Sequence, residues 1–288
     1  MNLKTFAKLT RIEHSFMLFI AVFVGELISG AIPNLFILIM SFMTPIFISM
    51  GSFAINDYFD VESDMLNKRF DRPIANGSVT KSQAFYIAIA CFVVGVLASA
   101  FINLYAFVIA IIFGSLAILY SYRLKDMLFW GNAYIALSMA IPFIFGDFVV
   151  SRVFSMNIIL ISFIVFLSGL AREIHGMIRD YKGDMKARKT KNLIRYFGMS
   201  KSAYAALVLY IEAIALSIFM FFYEEPFAYN LVYIVPIIFV DAALLYVGMM
   251  YINRRDRSFF KLSRNLSLAA MGIAIFTYLI SALWFIYI

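Results

Sequence analysis

Charge is scarce in this sequence. Only 14% of its 288 residues are Asp, Glu, Lys or Arg, against roughly 25% in soluble domains. Cysteine is nearly absent. Cys91 stands alone inside an apolar run, so an intrachain disulfide and CxxC metal sites are excluded. The two histidines, His14 and His175, are far apart in sequence, which argues against zinc. Short runs of strand-like alternation are missing as well, and with them a β-barrel.

Long apolar runs fill the chain instead. It is 64% hydrophobic with a mean hydropathy of +0.90. No soluble core could hide so much apolar surface, so the expected fold is an all-α polytopic membrane protein. A first apolar run extends from about Phe16 to Ile32, and Pro33 and Asn34 make the turn after it. It is longer than a signal-peptide core and contains Glu26, so it reads as a spanning helix. Further runs lie at about 35–55, 83–102, 104–121, 129–149, 157–175, 203–222, 230–252 and 266–287. Together they predict nine transmembrane helices.

The basic residues support that count. With the N-terminus inside, every Lys and Arg but Arg152 falls in an inner segment, out of 24. This asymmetry predicts a cell-membrane protein with a cytoplasmic N-terminus and an outer C-terminus. It also explains the net charge of +7 and the pI near 9.4 through the membrane, without nucleic acid. The dense basic stretch at 182–201 attracts anionic head groups by about 1 kcal/mol per charge near the surface.

Two acidic clusters break the apolar pattern, both on the predicted cytoplasmic side. The first is Asn56-Asp57-Tyr58-Phe59-Asp60-Val61-Glu62-Ser63-Asp64. On a helix Asp57, Asp60 and Asp64 occupy one face at i, i+3 and i+7, with Asn56 at its edge. Three like charges on one face repel, and a hard divalent cation would relieve them. Oxygen-only ligands suit Mg²⁺. An EF-hand fails, because Met65 stands where its loop needs Gly. The second cluster is Asp180 and Asp184, spaced i, i+4 after another long apolar run. Two carboxylate clusters at the same end of two membrane helices can hold metal-bridged phosphates across a cavity. Lys68, Arg69, Arg72 and Lys125 can neutralise the rest of a diphosphate, the arginines by bidentate contacts.

These residues carry a family resemblance. N-D-Y-F-D-V-E-S-D with the following R-P-I-A-N-G resembles the first signature of the UbiA superfamily of intramembrane prenyltransferases. The stretch R-E-I-H-G-M-I-R-D-Y-K-G-D resembles its second signature. Tyr120-Ser121 with Lys125 is similar to a third, shorter element. The sequence departs from the usual pattern at Ala75, Asn76 and Arg179, none of them a metal ligand. The motif wording is most similar to the archaeal digeranylgeranylglyceryl phosphate synthase branch.

The resemblance implies one transmembrane domain over 1–288, with helices around a central cavity that opens near the cytoplasmic side. The four-helix offset between the two large inner segments, 56–82 and 171–202, suggests a weak internal duplication of helices 2–4 and 6–8. The implied reaction is Mg²⁺-dependent transfer of a geranylgeranyl group from its diphosphate to geranylgeranylglyceryl phosphate. Asn56, Asp57, Asp60, Asp64, Asp180 and Asp184 are the expected metal ligands. Lys68, Arg69, Arg72, Lys125 and Tyr120 are the expected diphosphate contacts. Arg11, Glu13, Arg123, Arg172 and Glu173 are candidates for the acceptor, with membrane anchoring or an Arg172–Glu173 salt bridge as the plainer readings. Tyr58, Phe59, Tyr120 and Tyr181 could shield an allylic cation, although most aromatics here simply face lipid. Glu26, Glu212 and Asp241 lie inside predicted spans and receive no role.

Three alternatives stay open. The same fold could prenylate an aromatic quinone precursor or a chlorin. A CDP-alcohol phosphotransferase also uses intramembrane aspartates, but its D-G-x-x-A-R string is absent. A cation-coupled transporter would bind nearer the bilayer midplane, whereas these acids cluster at one face.

Overall fold

The computed structural model describes residues 2–127, 129–187, 193–254 and 256–287, without the side chains of His14, 182–187 and Tyr287. Every regular element among them is helical. Helix α1, Leu3–Thr10, is short and ends at Arg11, whose φ of 46° turns the chain sharply. A one-turn 3-10 segment leads into α2, Ser15–Ile28. Then follow α3 Leu35–Leu66, α4 Lys81–Ala100, α5 Leu104–Tyr122, α6 Trp130–Val150, α7 Met156–Ala187, α8 Leu193–Tyr223, α9 Leu231–Asn253 and α10 Arg257–Tyr287.

Helices α2 to α10 are the nine apolar helices that the sequence predicts. Eight of them are long and apolar enough to cross a membrane, and α2 is the shorter one. Most ends match the apolar runs closely. The exceptions fall on one side. Helices α3 and α7 run on past their apolar stretches at the C-terminal end, and α8 and α10 begin before theirs. With alternating topology, all four overruns lie on the face that carries the acidic motifs. Hydropathy marks only the lipid-facing length, whereas backbone hydrogen bonding carries the helix into the polar zone. Gly198, at φ 78° and ψ 163°, breaks α8 inside its overrun.

Side-chain caps fix the helix starts. Asn34, Asn103 and Asn230 accept from backbone amides of the first turns of α3, α5 and α9. Thr80 and Gln83 form a capping box at α4, satisfying two orphan N-terminal groups reciprocally. Asn103 also donates to the Phe148 carbonyl at 2.7 Å, tying α5 to α6.

Helices α2 and α6 cross by backbone contact. A Cβ on Gly25 would collide with the Phe143 carbonyl, and one on Gly146 with the Val22 carbonyl. Small residues at a membrane crossing let the helices approach this closely. Among the described residues the packing forms four apolar cores, two of which lie near the motifs. Leu9, Ala54, Ile55, Ala84, Ala88, Phe92 and Ala117 make a core from α1, α3, α4 and α5. Ile174, Ile178, Ala203, Tyr210, Val247, Tyr251 and Phe259 make another from α7 to α10.

Candidate active site

The last turns of α3 carry the first acidic motif above a long cavity. Because α3 stays helical to Leu66, Asp57, Asp60 and Asp64 share a face as their spacing requires. The repulsion expected among them is already relieved by cations from elsewhere. Asp57 is 1% exposed, and its Oδ1 accepts from Arg11 at 2.7 Å and also from Arg72. Asp60 accepts from Lys125 at 2.7 Å. Asp64 is buried at the end of the helix, and its carbonyl accepts from the Arg69 amide at 2.8 Å.

Each of these cations is placed by local structure. Arg11 sits at the left-handed corner after α1, its guanidinium 4.6 Å from the Phe53 ring centre. Burial draws its pKa below the ordinary guanidinium value, and Asp57 opposes the shift. Arg72 lies in the turns after α3, held by successive backbone bonds from Asn67 to Val79. Lys125 belongs to a 3-10 turn, Leu124–Asp126, that follows α5.

The cavity beneath has a volume of about 370 Å³ and lies among α2, α3, α5 and α6. Arg11, Asn56, Tyr120, Ser121 and Tyr134 line its motif end. Leu18, Thr44, Pro45, Ile109, Ile141 and Phe145 line its apolar depth. From Asn56 to Thr44 along α3 it extends ~18 Å at ~1.5 Å per residue. Tyr120 and Tyr134 stack with centroids 4.8 Å apart and narrow the passage. The cavity has the size and mixed lining of a small-molecule site.

The structure brings Arg11, Asn56, Asp57, Asp60, Arg72, Tyr120 and Lys125 together here. Other candidates stand apart. Arg69 is exposed and pairs with Asp71 at 3.5 Å. Lys68 is exposed, at a left-handed φ of 54°. Glu13 is exposed in the 3-10 turn before α2, and Arg123 is exposed at the end of α5. Tyr58 faces Lys81, at 4.8 Å, and Phe59 packs on Tyr122; neither lines the cavity. Tyr181 packs into the core of α7 to α10.

The second motif lies on α7. Asp180 accepts both guanidinium arms of Arg179, at 2.8 and 2.7 Å. Asp184 lies within α7, but its side chain falls outside the described residues. Arg172 and Glu173 line a smaller, polar cavity among α7, α9 and α10. Among the described residues no ion pair joins them.

Among the described residues, no group of three metal-type side chains converges around one centre. The donor set nonetheless suits a hard cation. It is all oxygen, and Asp57 Oδ2 is buried with no hydrogen-bond partner. A buried carboxylate oxygen without a donor is costly, and a metal ion would satisfy it.

Sequence reasoning identified the acids but missed Tyr134, which no local pattern on α6 marks. It also missed the Arg11–Asp57 pair, which joins positions 46 residues apart.

Residues 17–268 match the UbiA prenyltransferase family. A digeranylgeranylglyceryl phosphate synthase of Archaeoglobus fulgidus is 34% identical, over 95% of this chain and 93% of that one. One of the same name from Thermococcus kodakarensis is 29% identical over 98% and 99%. A solved structure described as a digeranylgeranylglyceryl phosphate synthase in membranes superposes with a TM-score of 0.79 at 26% identity, over 97% of this chain and 98% of that one. A UbiA homologue from Aeropyrum pernix K1 shares the fold at 19% identity, with a TM-score of 0.75 over 92% of this chain and 98% of that one.

Proposed function

Because the chain belongs to the UbiA prenyltransferase family, we propose that it moves a geranylgeranyl group from geranylgeranyl diphosphate to geranylgeranylglyceryl phosphate, forming an ether lipid. The carrying observation is the charged mouth on the apolar cavity, where Asp57 keeps Oδ1 on two guanidiniums and Oδ2 unpaired. The relatives named above support this acceptor.

The prenyl tail lies in the cavity between α2, α3, α5 and α6. Its apolar walls exclude water from the allylic carbon, and stacked Tyr120 and Tyr134 present π-faces to developing positive charge. Arg11, Arg72 and Lys125 face the diphosphate, and Lys68 and Arg69 in the turns after α3 add positive charge at the same end. Asn56, Asp57, Asp60, Asp64, Asp180 and Asp184 would hold Mg²⁺. Bound there, the ion supplies Lewis-acid neutralisation of the leaving diphosphate. The allylic C–O bond breaks with its electron pair going to diphosphate, the acceptor hydroxyl oxygen bonds the freed carbon, and the hydroxyl proton passes to the released diphosphate.

The motif face is cytoplasmic in this reading, with α10 ending on the outer side. Residues 1–288 act as one domain. Helices α3 and α7, each 32 residues long and each bearing an acidic motif near its C-terminus, support an ancestral duplication.

The test is transfer by purified protein with labelled geranylgeranyl diphosphate, Mg²⁺ and a panel of acceptors. Product with geranylgeranylglyceryl phosphate alone is expected. Product only with 4-hydroxybenzoate or a naphthoate would keep the chemistry and overturn the acceptor.

A further inference from the structure

The smaller cavity has a volume of about 230 Å³ and a different character. On α7, Arg172, His175, Gly176 and Arg179 form one stripe at i, i+3, i+4 and i+7. Tyr251 of α9 and Ser263, Arg264 and Ser267 of α10 face that stripe across the cavity. Charge there is mixed but not balanced. Arg179 is committed to Asp180 through two hydrogen bonds. Among the described residues, Arg172 and Arg264 remain against the single carboxylate of Glu173.

Two buried nitrogen atoms have no partner: Nε of Arg172 and Nε2 of His175. His175 is 4% exposed. Its ring is locked flat on Tyr251, centroids 3.8 Å apart and planes 3° apart, and Ser263 donates to the Tyr251 hydroxyl at 3.1 Å. Buried polar groups left unpaired beside a cavity call for a ligand. Both atoms are potential donors, and the excess charge is positive, so that ligand is an anion.

The position restricts its identity. Asp180 of the second motif lines the cavity, and one contact ties it to the helix that lines the prenyl cavity: Asn132 of α6 donates to Met177 Sδ at 3.0 Å. We propose that this cavity holds the phosphate monoester of the lipid acceptor, with Arg172, Arg264 and His175 as its ligands. The acceptor then reaches past the Asn132–Met177 contact, its hydroxyl turned toward the allylic carbon. This assignment rests on the acceptor proposed above.

The test compares geranylgeranylglyceryl phosphate with geranylgeranylglycerol, which lacks the phosphate, on purified wild type and Arg264→Gln. Arg264 is exposed, so the variant folds. The ratio of kcat/KM for the phosphorylated over the unphosphorylated acceptor is expected to fall roughly tenfold to a hundredfold, the range for a hydrogen bond to a charged group. KM for geranylgeranyl diphosphate should stay at the wild-type value, and Arg264→Lys should recover part of the ratio. Inorganic phosphate should raise the wild-type KM for the phosphorylated acceptor alone. An unchanged ratio overturns the site. An equal loss with both acceptors, seen only in vesicles containing an anionic phospholipid, assigns the cavity to a bilayer head group and overturns it as well. Absence of wild-type transfer to either glyceryl acceptor, with transfer to an aromatic acid, is distinguishable from these outcomes. It overturns the parent reading together with this one.

Discussion

Asp57→Asn separates the two jobs of one carboxylate. In the resting protein its Oδ1 binds Arg11 and Arg72, whose side chains are 22% and 15% exposed. Asparagine keeps the shape and removes the charge, leaving two guanidiniums without their hydrogen-bonded carboxylate. Breaking a fully buried pair this way costs about 3–5 kcal/mol, and the partial hydration of both arginines brings the expected loss to about 2–3 kcal/mol. The same change frees both arginines for another anion. Geranylgeranyl diphosphate should therefore bind the variant more tightly than wild type in EDTA, by roughly tenfold to a hundredfold, the value of one charge-assisted hydrogen bond. Transfer with Mg²⁺ should fall by roughly a thousandfold or more, since the lost metal ligand weakens a Lewis-acid contribution of several kcal/mol. Equilibrium binding of labelled diphosphate in EDTA, thermal unfolding in detergent and a turnover assay read the three effects. Wild-type affinity in EDTA together with wild-type thermal stability would refute the view that Asp57 holds these arginines in reserve.

Other perturbations have equally definite outcomes. Gly146→Ala drives a Cβ into the Val22 carbonyl and should cost about 1–3 kcal/mol or more, read as lower thermal stability in micelles; unchanged stability would mean that α2 and α6 do not touch as described. Asn103→Ala removes both the α5 cap and the bond to the Phe148 carbonyl, for a loss of about 1–2 kcal/mol without effect on KM for either substrate. EDTA should abolish transfer and Mg²⁺ restore it. Asp60→Ala should remain folded and inactive at any Mg²⁺ concentration, and turnover by that variant would remove Asp60 from the metal set.

The acids of α3 were legible because helical periodicity alone puts 57, 60 and 64 on one face. The apolar segments were legible because lipid demands them. The partners of those acids were not. Arg11 reaches Asp57 only because α1 ends in a left-handed corner, and Lys125 reaches Asp60 across 65 positions of sequence. Such pairings depend on how helices pack, which no local pattern encodes. For the same reason Arg172 could be flagged as an intramembrane charge, yet its neighbours Tyr251 and Arg264 could not be foreseen. The overruns of α3 and α7 were legible only through the spacing of their acids, and those of α8 and α10 were masked by charged residues, although Ile194 and Phe259 on them pack into a buried core.

The shortness of α2 bears on the membrane itself. Its 14 residues span ~21 Å at ~1.5 Å per residue, against a hydrocarbon layer of ~30 Å. Beside α2 the lipid must thin, or the polar corner at Arg11 must sink below the head groups. Either adjustment is a hydrophobic mismatch that carries a modest energy per ångström. Bilayer thickness thus becomes a variable acting directly on the residue that grips Asp57, so acyl-chain length of the host membrane should tune the enzyme from one edge of its site.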